Sequence, residues 1–74
     1  MIFIRSKLKA QRIALGYTQD DIARKAGIHK SYYSKIEIGQ RTPALDLWVK
    51  IGNALDIPDE QLIYYIKDGM EKGA

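Results

Sequence analysis

The side chains with the most chemistry to offer lie between Thr18 and Gly39, in TQDDIARKAGIHKSYYSKIEIG. In its second half Ile28, Tyr33 and Ile36 point one way, as anchors. That leaves His29, Lys30, Ser31, Tyr32, Ser34 and Lys35 facing outward or sideways. A lysine reaches guanine O6 and N7, and a serine donates or accepts at short range. Short polar side chains also let a helix sit deep in a groove. This is the chemistry that reads base edges in the DNA major groove. Lys30, Ser31, Ser34 and Lys35 are therefore the expected base contacts. A polar face alone is what most soluble helices have, so the flanks carry the rest of the argument.

Three flanking features suit phosphates. Thr18 and Gln19 open a helix, whose first backbone amides offer N–H groups to an anion. His29 precedes or caps the next helix, with Tyr32 one turn on. Gln40-Arg41-Thr42 follows that helix with an arginine between two hydrogen-bonding neighbours, a composition suited to backbone contacts. Other chemistries lack their parts. One histidine and no cysteine make no metal site. Ser6, Ser31 and Ser34 have no histidine–carboxylate partners for nucleophilic catalysis. Gly16, Gly27 and Gly39 are spaced as helix terminators and not as a phosphate loop. No enzyme activity, cofactor, metal or small-molecule ligand is expected.

Five helices must position these residues, and the expected fold class is all-α. The first spans roughly Phe3 to Leu15, with Ile4, Leu8 and Leu15 at helical spacing and Arg5, Lys7 and Lys9 elsewhere around the wheel. Gly16 ends it. Thr18 caps the second, with Asp21 completing a capping box, and Ile22, Ala23 and Ala26 form its apolar face. Gly27 reverses the chain. The third runs from about Lys30 to Ile38, so the two helices and their turn occupy about residues 18–38. Thr42 as cap and Pro43 as first helical residue start the fourth, with Leu45, Trp48, Ile51 and Leu55 on its core face. The fifth covers about residues 58–68 and carries Tyr64, Tyr65 and Ile66, an aromatic–aliphatic patch suited to a homodimer interface. Arg12 and Glu37 are expected to pair and fix the third helix against the first.

The 74 residues suit a single domain. Residues 1–41 hold nine Lys/Arg and three acids, a net +6, whereas residues 42–74 hold three bases and six acids, a net −3. A polyanion would bind the first half. No apolar run approaches the ~18 residues of a membrane span, and Met1-Ile-Phe-Ile4 is too short for a signal-peptide core. A cytoplasmic, non-membrane protein is expected.

The combination of Arg12, Gly16, Thr18-Gln19, Ile22-Ala23, Ala26-Gly27-Ile28, Ser34-Lys35-Ile36-Glu37, Gly39, Pro43, Leu45, Ala54-Leu55 and Ile57 resembles the lambda-repressor/Cro-like helix-turn-helix domains of phage and bacterial transcription regulators, over about Leu8 to Ile63. That resemblance implies a compact five-helix bundle. It implies phosphate contact by Gln19, bases faced by Lys30, Ser31 and Lys35 with Ser34 close by, an interhelical ion pair between Arg12 and Glu37, and backbone contact by Gln40 and Arg41. His29 to Ser34 is similar to the controller proteins of restriction–modification systems, and small phage and plasmid repressors share the same plan. Tyr32-Tyr33 is bulkier than the common pattern, Ile38 replaces a polar residue, Pro58 replaces a capping residue, and Gln11 stands where an aliphatic residue is common. The resulting expectation is a dimeric regulator of double-stranded DNA on a short palindromic operator. It would repress by blocking RNA polymerase or activate by touching it. The alternative is a protein-interaction module or antitoxin of the same fold.

Overall fold

The computed structural model describes residues 4–68. They form α1 (Ser6–Ala14), α2 (Gln19–Ala26), α3 (Lys30–Glu37), α4 (Leu45–Ala54) and α5 (Asp59–Lys67), with no strand among the described residues. α2 packs on both α3 and α4, α5 packs on α4, and α1 lies against α3. Leu8, Ile22, Tyr33, Ile36, Trp48, Ile51 and Leu55 meet at the centre, with Ile57 and Leu62 closing it beneath α5. Each large apolar side chain buried this way stabilises the fold by about 1.5–3 kcal/mol. The described residues thus form the all-α five-helix bundle that the resemblance implies. No described helix is long and apolar enough to cross a membrane.

The turn between α2 and α3 follows from local chemistry. Gly27 stands at φ +75°, where a side chain would strain the backbone, and its N–H closes on Arg24 O. Ile28 then donates to Ala23 O, which ends α2 and aims the chain into α3.

Two expected helix starts differ. α1 begins at Ser6, and Phe3 lies outside the described residues. Arg5 has non-helical backbone angles because its amide is held 2.8 Å from Glu37 O. Ile4 therefore precedes the helix and is 54% exposed, and Leu15 sits where the chain turns away and is 37% exposed; of that trio only Leu8 enters the core. α4 begins at Leu45 with Ala44 as cap residue, so Thr42 is not its cap and Pro43 is not its first residue. The Thr42 hydroxyl instead accepts from Arg5, while Pro43 is buried before the helix starts. Leu45, in the first turn of this later helix, is 68% exposed and outside the core. α5, with Pro58 and Asp68 as its flanking cap residues, keeps to the expected span of about residues 58–68; Gly69 lies outside the described residues.

Candidate nucleic-acid interface

α2 opens with a reciprocal capping box. Thr18 Oγ1 accepts from the Asp21 amide at 3.1 Å, and Asp21 Oδ2 accepts from the Thr18 amide at 2.8 Å. The backbone bond from Thr18, followed by that to its side chain, holds the Asp21 carboxyl below its ordinary range. The box satisfies the amide of the third helical residue and leaves the first amides of α2 with no partner inside the helix, as at any α-helix start.

Gln19, beside that end, is partly engaged. Its Nε2 donates to Glu37 Oε1 at 3.2 Å, which fixes the side chain alongside α3 and leaves its second amide proton to donate elsewhere. The same carboxylate receives Arg12, with Nε on Oε2 at 2.7 Å and Nη2 on Oε1 at 3.2 Å, while Arg12 Nη1 reaches Tyr17 O at 2.9 Å. Glu37 is 2% exposed. Burial alone would raise its carboxyl, but the hydrogen bonds from Arg12 and Gln19 outweigh burial and hold it below the ordinary range. Burial, then the neighbouring Glu37 charge, pushes the Tyr33 hydroxyl well above the usual tyrosine range. The buried Glu37 charge is thus compensated by its own arginine.

α3 is held by buried Tyr33, Ile36 and Glu37. On its other side Lys30, Ser31 and Lys35 are exposed, and Ser34 and Tyr32 are half-buried at the margin. His29 caps the helix, with Nδ1 accepting the Ser31 amide at 3.1 Å and lying 2.8 Å from Ser31 Oγ. After α3, the Gln40 and Arg41 amides both donate to Lys35 O, at 2.8 and 3.2 Å, and both side chains are exposed. The structure thus ties the start of α2 to α3 through Gln19 and Glu37, and the loop after α3 to the end of that helix through Lys35 O.

The expected dimer patch divides. Tyr64 is 59% exposed, but Tyr65 and Ile66 are half-buried and pack on the core. Leu45 and the half-exposed Ile63 instead flank a cavity of about 280 Å³ between α4 and α5, lined also by Val49, Asp59, Leu62 and Ile66.

Arg5 was not a candidate site residue in the sequence, where it reads as one more base on a helical wheel. In the structure it is fully buried, and its guanidinium lies 5.0 Å from the Trp48 ring centroid. Burial lowers its pKa, and the Asp68 charge works the other way. Gln11, singled out as unusual, donates to Leu55 O at 2.9 Å, which ties α1 to the end of α4.

The helix-turn-helix family model matches residues 8–62 of the chain. The uncharacterized HTH-type transcriptional regulator YqaF of Bacillus subtilis is 40% identical over 52 residues, covering 70% of this chain and 68% of YqaF. The cryptic phage CTXphi transcriptional repressor RstR of Vibrio cholerae is 37% identical over 59 residues, covering 80% of this chain and 53% of RstR. Among solved structures, the restriction–modification controller protein C.AhdI from Aeromonas hydrophila superposes with a TM-score of 0.73 at 34% identity, covering 78% of this chain and 88% of that one.

Proposed function

The chain belongs to the helix-turn-helix family of Cro-like, DNA-binding transcriptional regulators, a non-enzymatic family, and from that premise we propose that it acts as a homodimer on a short palindromic operator. The observation that carries this reading is the outer face of α3, where exposed Lys30, Ser31 and Lys35 stand on a base of buried Tyr33, Ile36 and Glu37. In this reading α3 enters the major groove, with Lys30, Ser31, Ser34 and Lys35 at base edges. Ser31 leaves His29 to do so. Thr18, Gln19, His29, Tyr32, Gln40, Arg41 and Thr42 contact the sugar–phosphate backbone on either side. The Arg12–Glu37 pair holds α3 at its angle.

The dimer forms through α5, with Tyr64 outermost, Tyr65 and Ile66 beneath it, and Leu45 and Ile63 extending the apolar surface. A two-fold axis there sets two α3 helices about 34 Å apart, one turn of DNA. Occupancy of an operator over a promoter represses; contact with RNA polymerase from a neighbouring site activates. The protein works in the cytoplasm, where its DNA is.

Amide NMR with a DNA duplex tests the placement. Shifts centred on residues 18–19, 29–35 and 40–42 are expected. Shifts confined to α4 and α5 would contradict it and favour a protein-interaction module.

A further inference from the structure

Arg5 gathers parts of the chain that are far apart in sequence. Its Nε donates to Ile66 O on α5 at 3.3 Å, and Nη1 donates to Ile36 O on α3 at 2.6 Å and to Arg41 O at 3.2 Å. Nη2 donates to Thr42 Oγ1 at 3.0 Å. The Arg5 amide takes Glu37 O, so one residue closes two of the last carbonyls of α3 and puts a positive charge at the negative end of that helix. Two residues on, the Lys7 amide donates to Asp68 Oδ2 at 2.8 Å, so the end of α5 also caps the start of α1. A planar guanidinium with five donors, stacked on Trp48, makes this set of bonds; an ammonium has neither the fork nor the flat face.

We propose that Arg5 is a positioning residue for DNA binding, which holds the Gln40–Thr42 loop and the end of α3 in register with the end of α5. The role rests on the reading of that loop as a phosphate contact. Arg5 touches no DNA itself; it acts through the Arg41 carbonyl and the Thr42 hydroxyl. Because the same guanidinium holds Ile66 O, displacement of the α5 end is transmitted to the loop through one rigid group.

The test uses the full chain with Arg5→Lys, Arg41→Ala and the double variant. In the free protein, Arg5→Lys should speed hydrogen exchange at the Gln40 and Arg41 amides roughly tenfold while leaving the Ile28 amide unchanged. On a duplex selected by the wild type and on a scrambled duplex, Arg5→Lys should weaken binding about five- to tenfold alike and lower the salt slope by about 1. In the Arg41→Ala background it should cost less than about twofold more, because both changes remove the same contact. Unchanged exchange at residues 40 and 41, equal acceleration at Ile28, or additive losses with an unaltered salt slope would overturn the role. If Arg5→Lys is not helical at 25 °C, the same measurements in sucrose restore burial without restoring the fork. A wild type that binds no duplex would defeat the DNA reading, and the exchange pattern alone would then decide whether Arg5 holds the loop.

Discussion

Replacing Glu37 with alanine removes the two oxygens on which Arg12 and Gln19 converge. Arg12 keeps the Tyr17 carbonyl through Nη1, but its Nε and Nη2 lose their acceptors. The magnitude depends on which limit applies. An exposed pair contributes about 0–1 kcal/mol, whereas breaking a buried pair from one side costs about 3–5 kcal/mol. The Arg12 and Glu37 side chains are 11% and 3% exposed, near the buried limit, with the arginine keeping a narrow edge toward water. The expected loss is therefore about 3 kcal/mol. At 4–8 °C per kcal/mol for a domain of this size, Tm should fall by roughly 12–24 °C. The total stability of such a domain is roughly 4–11 kcal/mol, so the variant sits close to its unfolding threshold. Urea unfolding followed by far-ultraviolet circular dichroism measures the loss. Glu37→Gln keeps the shape and one acceptor and should lose about half as much. A change within about 0.5 kcal/mol for Glu37→Ala would refute the reasoning and reduce the pair to a surface contact.

The remaining predictions concern pH, base reading and assembly. Glu37 titrates below its ordinary 4.5 in the folded state, so its stabilisation is complete above that pH and is lost as pH falls through the folded value; wild-type Tm should drop more steeply on acidification than that of Glu37→Gln, and parallel curves would count against it. Lys35→Ala should weaken binding to the selected duplex by ~1–3 kcal/mol and relax preference at one position, whereas an equal loss on every duplex would make Lys35 a phosphate contact. Tyr64→Ser should shift sedimentation toward monomer with little change in Tm, and an unaltered profile would remove Tyr64 from the dimer interface.

What the sequence made legible was local. The Thr18–Asp21 box closes within three residues, and the Gly27 reversal needs only one left-handed residue. The alternation of Ile28, Tyr33 and Ile36 with polar neighbours gave the two sides of α3, because helical periodicity is a property of a single segment. What was not legible depends on contacts across the chain. Arg5 meets Ile36 at a separation of 31 residues and Thr42 at 37, and Asp68 caps α1 from 61 residues away. No periodicity distinguishes such an arginine from a solvated one. Thr42-Pro43 has the composition of a helix start, but Arg5 draws the threonine hydroxyl inward and α4 begins later. Leu45 matched the core spacing of α4 and is exposed, because spacing does not say on which side a first turn meets the neighbouring helix. In α5, Tyr64 and Tyr65 are alike in type, and only the packing against α4 separates the exposed ring from the half-buried one.

The central claim is that the outer face of α3 reads a two-fold DNA site. Selection from genome fragments at physiological salt, with nonspecific competitor, tests it most directly. The account predicts enrichment of one motif with two half-sites about ten base pairs apart. Flat enrichment with steep salt sensitivity would contradict it, because the basic half of the chain would then only be attracting phosphate.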